Sequence, residues 1–499
     1  MFRKQTPLSI IKGAHGATPD VPCSVRSISY YNVLTHNLGY ATSVHRSCVC
    51  NEVISLTHRH IVQRRFTANP TVMRRVADQT LRYYPTKADR CSYRDVIDRY
   101  SGSKKRIYYQ ARENIFSNVR TNIAHVKAFI KLDKVPIGKI ATKAPRMIQG
   151  RTPEYNLSVL RYLVPYEHAV YTSLTYNVIS QTRIIAKGLN PQQRAELFIS
   201  KSKYFTNPLY ISGDHKAFDA HVTIDHLQNT HRKYYRAIKS KYFRRLMRMQ
   251  YHNNCMTKNG LRYRVHGTRM SGDPDTGLGN SLINADSIHH VFGHLKHDVL
   301  LDGDDFLVII EYGDKDNFDR RGFEQFGFET DLAYSRDLQQ AEFCQSRIVH
   351  TPYRSTFVRN PERCLSHMRV MRHSTNSFGI LRWLSAVAAC ENSLYGDMPI
   401  YNVFYPSLYT VAHVLDTDMI RRMQGTTVNL CEMKVDDSTR ISFEQAWGVP
   451  AEVQIELEEY LYRTNMHDTG QHAAEQPISP ESPFKFIAEC SSSGWWHGS

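Results

Sequence analysis

The sequence is short of three things, and each shortage removes a class of protein. No apolar run approaches the roughly 18 residues that span a bilayer. The nearest, FGILRWLSAVAAC (Phe378–Cys390), is interrupted by Arg382 and reads as a buried helix. The opening MFRKQTPLSIIKGAHG has no apolar segment of the length a secretory leader needs. Ten cysteines are scattered over 499 residues without a regular framework, so a reduced, cytosolic protein is expected rather than a disulfide scaffold. Acidic residues are scarce at the front: positions 1–150 hold 8 Asp/Glu against 26 Lys/Arg, and the remainder holds 39 against 38. The formal charge of +17 therefore resides in the first third, which predicts a polyanionic partner, nucleic acid or an anionic membrane surface.

A chain of this length exceeds one core, and roughly three or four subdomains are expected. Residues 1 to about 95 are basic, rich in His and Tyr and weakly periodic, and read as an extension packed over the rest. Ser92–Ile115 reads as two helical pieces around a Ser-Gly-Ser break. His125–Val135 alternates like a strand, Gly138–Asn156 reads as a basic loop and strand, and the apolar segment after it has helical spacing. LYISGD reads as a strand ending at Asp214, residues 223–250 as one basic helical stretch, and DVLLDGDDFLVIIEY as a hairpin around Gly303. Beyond about residue 350 the pattern is mostly helical, and a Ser/Pro/Gly-rich tail follows.

Three segments carry chemistry: ISGDHKAFDAHV (Ile211–Val222), TRMSGDPDTGLGNSLIN (Thr268–Asn284) and LLDGDDFLVII (Leu300–Ile310). Asp214 at a strand end and Asp304 at a hairpin tip lie 90 residues apart in sequence, and neighbouring strands can bring them together. Hard carboxylate oxygens suit Mg²⁺, and a pair of such ions activates an attacking hydroxyl and stabilises a leaving oxygen in phosphodiester formation. Asp305 is an outer or alternative ligand. Asp219 lies past the strand, where its carboxylate can accept a hydrogen bond from a ribose 2′-hydroxyl, a contact that Asn280 can share. Ser271-Gly272 opens the middle segment, and the glycine permits close approach of template or base.

These segments resemble motifs A, B and C of the RNA-dependent RNA polymerases of positive-strand RNA viruses. FDAHV (Phe218–Val222), TRMSGD (Thr268–Asp273), TGLGN (Thr276–Asn280) and GDD (Gly303–Asp305) carry the likeness, which is greatest to the tombusvirus-like group, relatives of the flavivirus and pestivirus enzymes. KAPRMIQGRTPEYN (Lys143–Asn156) resembles motif F, AEFCQSR (Ala341–Arg347) motif E, and VRNPERCLSHM (Val358–Met368) the start of the thumb. The resemblance covers about residues 95–370. It implies an α+β, closed right hand: a palm with an antiparallel sheet and helices on one face, fingers, and a mostly helical thumb. The corresponding division is 1–95 basic N-terminal extension and fingertips, 96–205 fingers, 206–250 palm with motif A, 251–267 fingers insertion, 268–350 palm with motifs B to E, 351–465 thumb, and 466–499 mobile tail.

The resemblance also implies roles. Asp214, Asp304 and Asp305 would hold two Mg²⁺ or Mn²⁺ ions. Asp219, Ser271, Gly272, Thr276 and Asn280 would select the ribonucleotide, Lys131, Lys143 and Arg146 would meet its triphosphate, and Phe343, Cys344 and Gln345 would form the primer grip. Partners would be single-stranded RNA template, nascent RNA, nucleoside triphosphates and other viral replicase proteins that supply attachment to membranes of the host cytoplasm. Initiation would be primer-independent. One departure stands out: motif D of this class often carries a Lys as general acid, and from Asp316 to Met433 this chain has no Lys. Arg336 can bind phosphate but is too basic to serve as that acid. Cys48, Cys50, His58 and His60 could in principle ligate zinc, but the spacing is not that of a common finger, and buried thiols and surface histidines are expected instead. A reverse transcriptase is disfavoured because Asp219 and Asn280 suit a 2′-hydroxyl and Gly303 stands where Tyr-x is usual. A non-catalytic RNA-binding protein would explain the basic first third but not the three carboxylates.

Overall fold

The apolar runs on either side of Gly303 form an antiparallel hairpin, His297–Asp302 with Asp305–Glu311, in the computed structural model of the chain. Described are residues 38–62, 64–117, 123–371, 377–403 and 434–466, with the short strands Ile10–Ile11, Ser27–Ile28 and Tyr31–Asn32. Residues 467–499, expected as a mobile tail, lie outside the described residues. Strand Pro208–His215 adds to the hairpin and Thr330–Ser335 closes the edge, giving a four-stranded antiparallel sheet. Phe306 pairs with Gly213, and its ring occupies the space of a Cβ at 213, which would fall 2.0 Å from the ring. The missing side chain at 213 thus fixes the register of the two central strands.

The middle stretches of the central strands are apolar because both faces are covered. Leu209, Ile211, Val299, Leu301, Phe306, Val308 and Ile310 enter one core with helices Pro153–Ser173, Ile224–Ala237 and Thr276–Phe292. The alternate residues Tyr210, Leu300, Leu307 and Ile309 enter a second core. There they meet Ala195 and Phe198 of helix Pro191–Ser202 and Ile348 and Phe357 of the hairpin Ser346–His350/Ser355–Arg359. Helices on one face only, as expected, is therefore corrected: the second face carries a helix and a hairpin, since bare Leu and Ile there would forgo about 1.5–3 kcal/mol apiece.

The stretch 223–250 is two helices, Ile224–Ala237 and Lys241–Arg248, rather than one. The Ser240 hydroxyl accepts from the Phe243 N–H and starts the second, a cap that competes with helix continuation. A five-stranded sheet joins distant segments: Ile10–Ile11, Arg262–His266, His252–Thr257, Val126–Ile130 and Met147–Gly150, in that order. A further core gathers Leu38, helix Pro361–Met368, helix Ser377–Tyr395, helix Asp437–Trp447 and helix Ala451–Met466. The Tyr40 N–H donates to Ser366 Oγ (2.8 Å) at this core, while Ile10–Ile11 pairs with Arg262 and Tyr263 in the five-stranded sheet.

Candidate active site

A cavity of about 1690 Å³ opens at the end of the four-stranded sheet. Because Phe306 pairs with Gly213, the next residues outward, Asp305 and Asp214, come to the same end of the sheet, where Asp305 pairs with Asp302 and Asp214 with Asp331. Asp304 sits between them and Gly303 in the two-residue turn, and Gly303 (φ +72°) takes the positive φ that the first position of such a turn requires. Asp214, Asp304 and Asp305 all line the cavity. Partial desolvation and then Asp331 push Asp214 above the usual carboxylate range. Desolvation and Asp214 push Asp304 up, and desolvation with Asp304, Asp214 and Asp302 pushes Asp305 up to about 7. Their neighbour Asp302 is tied down by Arg194 (2.7 Å) and Lys187 (3.2 Å). The other three make no ion pair among the described residues.

Such a set, hard oxygens repelling one another at a cavity wall, fits divalent cations. Among the described residues no three His, Cys, Asp or Glu converge into a ready metal cage. One or two carboxylates per ion, with water and phosphate completing the shell, is the arrangement Mg²⁺ prefers. The same finding bears on Cys48, Cys50, His58 and His60. His60 is buried and accepts the Met147 N–H on Nε2 (2.9 Å), and exposed His58 contacts the Thr57 hydroxyl through Nδ1 (2.8 Å). His60 is thus not the surface histidine expected.

Asp219 and Asn280 line the cavity together, with the Asn280 amide donating from Nδ2 to Asp219 Oδ1 (2.8 Å). Desolvation pushes Asp219 up to about 6 against the pull of that bond. Ser271 and Thr276 also line the cavity, but their hydroxyls are engaged by the protein. Ser271 Oγ accepts from the Gln149 N–H and donates to the Met147 carbonyl (both 3.1 Å), and Thr276 Oγ1 meets the carbonyls of Met270 and Asp273. Gly272 corrects its expectation. A Cβ there would lie 2.7 Å from Gly150 Cα, so the close approach is made by the protein's own strand Met147–Gly150.

Lys131, Lys143 and Arg146 add basic side chains to the lining of the same cavity. Asp133 bridges two of them, at 2.6 Å from Arg146 and 3.4 Å from Lys131. Desolvation and the cations Arg59, Arg146 and Arg363 lower the pKa of Lys143. Arg59 was missed in the sequence. It lines the cavity within electrostatic reach of Arg146, Asp133, Asp219 and Asp304, held there by the anchored His60 beside it. The dipeptide carries no periodic signal. Only the basic character of its segment pointed this way.

Phe343, Cys344 and Gln345 divide. Cys344 (φ +51°) and Gln345 (φ +59°) form a tight turn facing the cavity, closed by the Phe343–Ser346 bridge. Phe343 is 2% exposed and packs in the second core, so it corrects the expectation of a three-residue contact surface. Arg336 points away as well: its guanidinium stacks on Tyr312 (4.1 Å) and bonds Asn207.

Residues 15–469 match the family described as viral RNA dependent RNA polymerase, and the chain belongs to that family. Membership implies a right-hand polymerase fold, and the mixture of helices and sheets is α+β. The chain is 31% identical over 386 residues to the RNA-directed RNA polymerase of Groundnut rosette virus (strain MC1), covering 73% of this chain and 45% of that protein. It is 30% identical over 427 residues to that of Oat chlorotic stunt virus (79% and 56%) and 29% identical over 389 residues to that of Carnation mottle virus (74% and 50%). The chain spans about half the length of the curated relatives it matches. Among the described residues no helix is long and apolar enough to cross a membrane.

Proposed function

We propose that this chain is an RNA-directed RNA polymerase that copies a positive-strand viral RNA genome from nucleoside triphosphates. The observation that carries the reading is the single cavity whose lining joins Asp214, Asp304 and Asp305 to Lys131, Lys143, Arg146 and Arg59, with Arg59 and Arg146 in electrostatic reach of Asp304. Asp214, Asp304 and Asp305 would hold two Mg²⁺ or Mn²⁺ ions, which when bound supply an activated 3′-hydroxyl and a neutralised pyrophosphate. The basic side chains would bind and orient the triphosphate. Arg presents a planar fork to phosphate oxygens, and Lys a point charge. Asp219, fixed by Asn280, would accept the 2′-hydroxyl of an incoming ribonucleotide. Ser271 and Gly272 would act one step back, by joining the nucleotide-selecting segment to strand Met147–Gly150, and Thr276 by tying the turn at Met270 and Asp273 within that segment. Cys344 and Gln345 would steady the growing end.

The proposed right hand is closed, with the division into fingers, palm and thumb given by the resemblance. Contacts such as Tyr40 to Ser366 support closure. A primer-independent start is proposed from the likeness to the tombusvirus-like group. So is work at membrane-associated replication complexes in the host cytoplasm, with other replicase proteins supplying attachment. The general acid for pyrophosphate is unassigned, since Arg336 faces Tyr312.

The test is primer-independent incorporation of labelled nucleotides on single-stranded RNA with Mg²⁺ or Mn²⁺, wild type beside Asp304→Ala. Template-length product is expected from the wild type. The variant should fall by at least about 10²–10³-fold, the scale of losing one preorganised electrostatic contact to a transition state, with RNA binding kept. Undiminished synthesis by Asp304→Ala would defeat the assignment of the site.

A further inference from the structure

Arg269 does not line the site cavity, yet it is tied to both residues of the ribose-selecting pair. It is 1% exposed. Its backbone N–H donates to the Asp219 carbonyl (2.8 Å), and its Nε donates to Asn280 Oδ1 (3.2 Å). Asn280 Nδ2 in turn donates to Asp219 Oδ1 (2.8 Å), closing a circuit of three residues. Nη1 is held by the buried Asp275 (2.9 Å), which also accepts from Gln250 Nε2 (2.8 Å) and the Tyr234 hydroxyl (3.2 Å). A second observation converges on the same guanidinium. A Cβ at Gly279 would lie 2.1 Å from Arg269 Nη2. Gly279, one residue before Asn280 on its helix, is where the guanidinium lies flat against the backbone.

An asparagine amide can face a neighbour with either end, and its partners decide which. A guanidinium only donates, so Oδ1 of Asn280 must face Arg269 and Nδ2 must face Asp219. The reverse orientation would set donor against donor and acceptor against acceptor. With Asp219 Oδ1 engaged by Nδ2, the second carboxylate oxygen is left to the cavity.

We propose that Arg269 is a positioning residue for sugar selection. By fixing the polarity of the Asn280 amide it holds Asp219 with one oxygen presented to the 2′-hydroxyl of the incoming nucleotide, and Gly279 is the space that permits it. The inference rests on the polymerase reading. A site built to hydrogen-bond a hydroxyl rejects the analogue that lacks it, because a buried polar group is then left without a partner. Loosening that group weakens the response to the hydroxyl while affecting the deoxy analogue less.

The experiment compares kcat/KM for ATP and for 2′-dATP on a poly(U) template in wild type, Arg269→Lys and Gly279→Ala. Lysine keeps a cation beside Asp275 but lacks the second donor that meets Asn280. Gly279→Ala keeps every polar group and displaces the guanidinium by volume alone. Both variants are expected to lose at least about tenfold in the ATP over 2′-dATP ratio, chiefly through a higher KM for ATP. An equal fall for both nucleotides is what merely structural damage produces and would overturn the inference. If Arg269→Lys is insoluble, the ratio in Gly279→Ala decides. A wild type that discriminates, with the ratio intact in the variants, sinks the role of Arg269 and leaves the polymerase standing. A wild type that incorporates neither nucleotide sinks both.

Discussion

Two pairs of aspartates stand close together in this chain and live under opposite rules. Asp273 and Asp275 are buried, and each is met by a buried arginine: Arg151 Nε at 2.5 Å and Arg269 Nη1 at 2.9 Å. Arg151 comes from the end of strand Met147–Gly150, so its ion pair clamps that strand to the segment before helix Thr276–Phe292. Asp304 and Asp305 are only half-buried and make no ion pair among the described residues, and desolvation with carboxylate neighbours pushes both upward, Asp214 acting on Asp304, and Asp304 with Asp214 on Asp305. The molecule satisfies its charge where two segments must be held together and leaves charge unsatisfied where the wall faces the cavity. An unpaired carboxylate is a poor structural element, and for that reason it is available to a cation.

The contrast breaks most visibly in a pair of substitutions. Asp275→Ala strands a buried guanidinium and should cost about 3–5 kcal/mol, read as a drop in the urea midpoint. Asp304→Ala should leave that midpoint unchanged or raise it while abolishing incorporation. Equal destabilisation in both would erase the distinction drawn between the pairs.

The second effect is a pH dependence. Desolvation and the carboxylates of Asp304 and Asp214 push Asp305 up to about 7 in the folded chain, against about 3.9 for an unfolded aspartate. Between those values the folded state binds a proton that the unfolded chain has released, so this group lowers stability as pH rises through the window. Asp305→Asn removes the term. In metal-free buffer the melting temperature of the variant relative to wild type should rise from about pH 5 to about pH 8, and Mn²⁺ should shrink the gap by neutralising the wild-type carboxylate. A gap that ignores both pH and Mn²⁺ would place Asp305 outside any cation site.

The smallest contrast lies among the cations. Arg59→Ala should raise the KM for triphosphate by about tenfold, the loss of one charge-assisted contact, and Arg336→Ala should change it less than about twofold, since a surface side chain stacked on Tyr312 has little to do with the cavity. The reverse ranking would return Arg336 to the phosphate site and remove Arg59.

The division between what the sequence revealed and what it hid follows the range of the forces involved. Three strands of the sheet were legible because they are local apolar runs that end in carboxylates at Asp214 and around Gly303, whereas the edge strand Thr330–Ser335, largely exposed and not apolar, was not. Helix Pro153–Ser173 was legible from its spacing. Arg59 was not, because its place depends on His60 accepting the Met147 N–H across 87 residues of chain. Gly272 invited a guess about template, yet the atoms that need its missing Cβ belong to Gly150 and Gln149, in a strand far back in the sequence. Phe343 was grouped with Cys344 and Gln345 by adjacency, whereas a tight turn sends neighbouring side chains in different directions. The break in 223–250 was signalled by Ser240, a residue that favours caps over helix interiors.

Gly303 carries one more consequence. Nothing lies within 4 Å of where its Cβ would be, so size is not what selects glycine there. Its φ of +72° is a demand of handedness, and an L-alanine at that site would meet its own backbone at a cost of roughly 1–2 kcal/mol. The turn that presents Asp304 is thus a stereochemical filter: a D-alanine placed at 303 by chemical ligation should be accepted, and should stiffen the hairpin by narrowing the freedom of the unfolded chain.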